Sequence, residues 1–296
     1  NRKQLSSFLP DLKDGVSRRF ILENNSMKKI FEKIKNKIFN NKELEEVQSE
    51  SYSLSDFNSH SENLYFINLT EKFNHISYQA NLNIDIKTTN ENSYIELYTK
   101  NKINNNIFID CSEFLLKIRS VGKFDKDNTH ITIFININDF NYLSSITNKS
   151  GSIINCEYIN FNQENITFNV YGKGDIIINS LISDYLTVNH KNQGSIIFKD
   201  INPTNIELKL SKSAVVKIQK GNADYINIFS HDSAKIIAKN FKVKKAEINL
   251  NSTGNTLLDV LENVKGHISG IGNLQLSNEK VKCDVRMSGL GSIKFK

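Results

Sequence analysis

In the second half of the chain, a small residue followed at its second and fourth places by apolar residues recurs every 20 positions. Gly174 (GDIIIN), Gly194 (GSIIFK), Ala214 (AVVKIQ), Ala234 (AKIIAK) and Gly254 (GNTLLD) keep the 20-residue interval four times running. Gly272 and Gly291 continue it at 18 and 19, and Gly151 precedes it at 23. The pairs that follow are Ile176/Ile178, Ile196/Phe198, Val216/Ile218 and Ile236/Ala238, and so on to Ile293/Phe295. Upstream of each small residue, at minus eight, six and four, stand Ile166/Phe168/Val170, Leu186/Val188/His190 and Ile206/Leu208/Leu210. A third column, at plus seven, reads Leu181, Ile201, Gly221, Phe241 and Leu261.

Apolar residues on three short faces per repeat cannot be buried within one repeat. Coils stacked about 4.8 Å apart solve this, because every strand pairs with the strands above and below and like residues form internal ladders. The glycine or alanine is small because the chain turns a corner there. The expected fold is all-β: a right-handed parallel β-solenoid with coils of about 20 residues. The Gly-x-Gly sequences are therefore corners and not a phosphate cradle, which is needed once and ahead of a helix.

The first part of the chain reads differently. In SMKKIFEKIKNKIFN (26–40), Met27, Ile30, Phe31, Ile34 and Ile38 form the stripe of one helix face, with Ser26 as N-cap. KELEEVQSE reads as a second short helical piece, and DGVSRRFILENN as a helical turn or two. Residues 51–62 are polar and serine-rich, a linker. From 63 the period changes to two, in LYFINL, ISYQANLNIDIK, SYIELYT, NIFIDC, FLLKIRS and HITIFINI, which read as a meander of antiparallel strands leading into the solenoid. The expected organisation is a basic amphipathic segment at 1–50, a linker at 51–62 and a β-solenoid domain at 63–296.

Charge follows the same division. Residues 1–42 hold eleven Lys/Arg against four acids, or +7, which leaves −1 for the remaining 254 residues. The body is thus no nucleic-acid-binding surface. Lys28, Lys29, Lys33, Lys35 and Lys37 fill the polar face of the helix, which suits contact with an anionic membrane surface or a partner; a lid over one end of the solenoid is the competing expectation. No apolar run approaches the roughly 18 residues of a membrane-spanning helix. The start NRKQLSSFLP has neither a hydrophobic signal core nor an initiator Met and reads as processed or trimmed. Cys111, Cys156 and Cys283 are odd in number and far apart, which argues against a disulfide framework or a structural zinc site.

The run HITIFININDFNYLSSITNKSGSII (130–154), with YGKGDIII, NQGSIIF, SGIGNLQL and SGLGSIKF after it, resembles the adhesin family with a head GIN domain, known mainly from bacterial envelope proteins. The resemblance covers roughly 63–296. The middle copies SKSAVVK and SHDSAKI depart from the family's pattern, with Ala where Gly is usual. The resemblance implies a β-helical protein of the cell envelope or extracellular surface without known catalysis.

Residue chemistry agrees with that expectation. A polysaccharide-cutting solenoid needs acid and base carboxylates grouped on one outer face, yet Asp175 is followed at its offset by Ser195, Val215, Lys235 and Asn255. Asp184 and Asp224 share an offset two coils apart and form the one hint of a ligand face; turn residues are the alternative. His190 falls in an inward column, where a neutral ring bonded to a carbonyl is expected. His231 and Asp232 lie near a turn in solvent. The expectation is a binding module, not an enzyme, requiring no cofactor, that presents solenoid faces to a glycan or protein. A self-associating scaffold is the runner-up, and a carbohydrate-active enzyme the third reading.

Overall fold

A computed structural model of the chain describes residues 17–22, 63–99, 106–121, 129–140 and 142–295. The N-terminal strands are β1 (Ser17–Leu22), β2 (Asn63–Asn68), β3 (His75–Gln79), β4 (Ile84–Thr89), β5 (Tyr94–Thr99), β6 (Asn106–Ser112), β7 (Leu115–Val121) and β8 (Thr129–Asn136). A single helical turn, α1 (Ile137–Phe140), and the short β9 (Ser145–Asn148) follow. Then come the long bent strands β10 (Ile154–Val170), β11 (Ile176–His190), β12 (Ser195–Leu210), β13 (Val215–Asp232), β14 (Lys235–Ser252) and β15 (Thr256–Ile268). The chain closes with β16 (Leu274–Leu276), β17 (Lys282–Met287) and β18 (Ile293–Phe295).

From β10 onward each long strand makes one coil and pairs in parallel with the next, so the fold is a parallel β-solenoid. Ile176 lies beside Ile196, Ile196 beside Val216, Val216 beside Ile236 and Ile236 beside Thr256, in the register of the 20-residue repeat. Leu274 and Ile293 extend that column. On a second face Phe168, Val188, Leu208, Ile228 and Ile248 stack likewise. Apart from the half-buried Ile293, these side chains are fully buried, 0–1% exposed, and alternate with solvated neighbours along each strand, which gives the period of two.

The corners explain why small residues recur. A Cβ at Gly174 would lie 2.0 Å from the Ser152 carbonyl oxygen, and one at Gly254 would lie 1.8 Å from that of Ala234. The two middle coils turn by another route. Lys212 and Asp232 take φ of 58°, and the amides of Ala214 and Ala234 bond the carbonyls of Ser211 and His231, which lets alanine stand at the corner. Asp232 Oδ2 accepts from the Lys212 amide at 2.8 Å and ties the two turns together. The departures SKSA and HDSA are thus a second turn chemistry in the same solenoid.

One column is misread by the repeat. Leu261, placed inward at plus seven, is 45% exposed, and Val260 takes the buried place opposite Val243. The register jumps from Ala238/Leu258 to Lys242/Asp259, so the sixth coil omits the corner that holds Phe241. That omission removes three residues, and one extra residue between Val260 and Asn263 restores one, which shortens this repeat to 18.

The N-terminal strands exist where expected but do not form a sequential meander. Among the described residues, only β6 and β7 make a hairpin between neighbours in sequence, closed by Glu113 and Phe114, both at positive φ. β3 pairs in parallel with β7 and β9, and β4 in parallel with β8 and β10, so both belong to the solenoid's own stack. Ile131, Ile84 and Ile154 thereby continue the Ile176 column. Antiparallel strands β5 and β2 lie beyond β8, and β6 and β1 beyond β7. The segment 17–22, expected as helical, is extended: its backbone satisfies the otherwise unpaired edge of β6. The helix expected at 26–40, its lysines Lys28, Lys29, Lys33, Lys35 and Lys37, and the linker at 51–62 lie outside the described residues. Among the described residues, no helix is long and apolar enough to cross a membrane.

Candidate binding surface

Parallel stacking turns every outward position into a column of side chains about 4.8 Å apart. On the face formed by the second half of each coil, Asn189 Nδ2 donates to Asn169 Oδ1 at 3.0 Å, and Asn169 Nδ2 to Thr147 Oγ1 at 3.2 Å. One column over, Tyr225 donates to Glu247 Oε2 at 2.6 Å, and Lys265 reaches the same oxygen at 2.9 Å. The Tyr225 hydrogen bond, then Lys265, hold the Glu247 carboxyl below its usual range. Burial, then the Glu247 bond, push the Tyr225 hydroxyl up to about 12.

Asp184 and Asp224 are both exposed, next to Tyr185 and Tyr225, which share a column with Asn205 between them. Thr204 stands between them in the column, so the two carboxylates are separated by two rungs, roughly 10 Å. Asp224 Oδ1 is 2.7 Å from Lys244 Nζ, and this bond raises the lysine's pKa. The carboxylate is occupied as an ion-pair acceptor.

His190 is fully buried, with Nε2 3.0 Å from the Gly194 carbonyl, the bonding expected for an inward ring. Desolvation pulls its pKa down, partly offset by the Gly194 carbonyl and by Asp175. The unfolded chain takes up this proton near pH 6.5, the folded chain only at lower pH, so unfolding binds a proton between the two. The contribution is whole above that range and is lost as pH falls through it. The melting temperature is therefore expected to drop on acidification from about pH 7 to about pH 5, and His190→Leu, which matches Leu210 in the same column, to flatten that slope. Equal slopes in thermal melts of both proteins would refute this. Desolvation pushes the Cys111 thiol up to about 12 and raises those of buried Cys156 and half-buried Cys283 as well.

One outer concavity among the described residues lies at the corner where each coil leaves the second face. It is an open depression of about 380 Å³ lined by Lys191, Lys209, Leu210, Ser211, Phe229 and His231. Lys209 stacks on Phe229, with Asn189 above and Asn249 below. Lys191, Ser211 and His231 occupy the next column, each one place beyond a paired inward residue. Leu210 is buried beneath, and the half-buried Phe229 ring forms part of the wall. Apart from His231 and the inward Leu210, the periodicity does not single out these residues, because an outward column has no hydrophobic period to reveal it. Aligning the outward offsets of the repeat, 189/209/229 and 191/211/231, is the signal that finds them.

The model of a family described as "putative auto-transporter adhesin, head GIN domain" matches residues 72–279. The chain belongs to this family. The head GIN match begins just before β3 and runs past β16, through the stacked coils. Solved structures with the same fold include a "putative adhesin" from Parabacteroides distasonis, at 16% identity, covering 79% of this chain and 97% of that one with a TM-score of 0.63. A "putative adhesin" from Parabacteroides merdae aligns at 13% identity over 80% of this chain and 97% of its own, TM-score 0.65. A "putative lipid binding protein" from Parabacteroides distasonis aligns at 17% identity over 81% and 98%, TM-score 0.63. No curated protein matches the chain.

Proposed function

We propose that this chain is a non-catalytic, adhesin-like binding module of the bacterial cell envelope or outer surface, presenting its solenoid faces to a glycan or protein. Its membership of the head GIN adhesin family supports the reading. The observation that carries it is the set of outward columns, in which hydrogen-bonding side chains repeat at a fixed rise on a rigid core. Such a lattice suits a repetitive or extended ligand, because each rung repeats the contact of the one before.

The test is a glycan and matrix-protein array probed with the full chain, with polysaccharide turnover followed in parallel. Saturable binding that survives Asp184→Ala/Asp224→Ala is the expected result. Hydrolysis that disappears with those substitutions would overturn the reading.

A second reading, end-to-end self-association, has its own support. Leu290 is 91% exposed and Met287 and Phe295 over 40%, and among the described residues the outer edges of β17 and β18 carry no further strand. Filaments that lengthen with protein concentration would favour it.

A further inference from the structure

We infer that the corner depression lined by Lys191, Lys209, Phe229 and His231 binds an anionic sugar unit, a pyranose bearing a carboxylate or a sulfate, within a glycan laid along the solenoid axis. This rests on the binding-module reading and gives it a place and a ligand class.

Charge is the first support. The two outward columns that meet at this corner run from Thr147 to Arg286 and from Lys149 to Ser288, and neither contains a single Asp or Glu. They do contain Lys149, Lys191, Lys209 and Arg286. This happens on a body whose net charge is −1, with acids in the very next column: Glu207, Glu247 and Asp284. Asp232 is turned to the Lys212 amide, and Glu207 is paired with Lys209 at 2.6 Å, a partner that an incoming anion displaces from that ammonium. Lys191 forms no ion pair among the described residues and is free to meet an anion.

Shape and chemistry are the second support. The Phe229 ring offers a flat apolar wall against which the C–H face of a pyranose can lie, and the Ser211 hydroxyl, the His231 ring and the two ammonium groups surround it with donors. Along the axis the corner continues into Asn169, Asn189 and Asn249, whose amides both donate and accept, as sugar hydroxyls require. The rung spacing of about 4.8 Å is close to the length of one pyranose unit. Successive sugars of an extended chain can therefore meet successive rungs, a periodicity that a folded protein ligand lacks.

The test measures binding of the full chain by calorimetry to three probes: an oligogalacturonide, a sulfated galactan oligosaccharide and neutral maltotetraose. Lys191→Ala, Lys209→Ala and Phe229→Ala are each expected to weaken the acidic probe roughly tenfold, while Lys217→Ala, exposed in the separate column of Ile197 and Ile237, leaves it unchanged. The two acidic probes distinguish carboxylate from sulfate. Inorganic sulfate alone, bound as tightly as the oligosaccharides, would overturn the sugar component. Acidic binding indifferent to all three substitutions would overturn this site but leave the glycan reading standing. Neutral sugar bound as tightly as acidic would overturn the anionic assignment. Failure of every glycan to bind would overturn both. Circular dichroism of each variant separates loss of binding from loss of fold.

Discussion

Replacing Gly221 with alanine is expected to destabilise the protein by about 3 kcal/mol or more, through backbone strain and overpacking together. Gly221 sits in β13 between Ile201 and Phe241, with φ of 121°. A Cβ there would lie 1.8 Å from the Ile201 carbonyl oxygen, which is itself part of the neighbouring coil and cannot swing aside. Gly151 provides the contrast, because a Cβ on it meets nothing within 4 Å, and Gly151→Ala is expected to stay within about 0.5 kcal/mol of the parent. Urea denaturation followed by circular dichroism measures both. A Gly221→Ala change as mild as that at Gly151 would mean that the third face can open at little cost.

Phe198→Ala is expected to cost about 4 kcal/mol, the sum of lost transfer energy and of the cavity left behind. Phe198 is fully buried between Ile178 and Ile218, and its ring packs edge-on against Phe168 at 5.7 Å and 73°. Each coil touches only its neighbours, so the damage stays near β12 and weakens the link between the coils on either side. Calorimetry is then expected to show a broadened or split endotherm, because the two sides no longer unfold as one. A single sharp transition at the parental temperature would contradict this.

The register of the stacked coils was readable because inward side chains repeat a physical demand at each rung. Ile176, Ile196, Val216 and Ile236 had to be apolar at the same offset, and they pair at that offset. Thr256, Leu274 and Ile293 followed even where the interval fell to 18 and 19, because their apolar partners kept step with them. Counting from a fixed offset failed at Leu261, since the corner that holds Phe241 has no counterpart in the sixth coil and pairing instead sets Val260 opposite Val243. The interleaving of β3 and β4 with β7 and β8 was not legible, because a period of two marks a strand but not its partner. The corner site was hidden for a related reason: Lys209 and Phe229 face water, where no burial requirement shapes the residues into a pattern.

The interleaved start also bears on the order in which the polypeptide can acquire its shape as it leaves the ribosome. His75 in β3 needs Ser145 in β9, 70 positions later, whereas Ile176 needs only Ile196. β3 waits for β9 and β4 for β8 and β10, so the opening block must wait for distant sequence, at the loop-closure cost that long separations impose. Once that block has closed, every further stretch of about twenty amino acids finds its template already waiting, and growth proceeds by local addition.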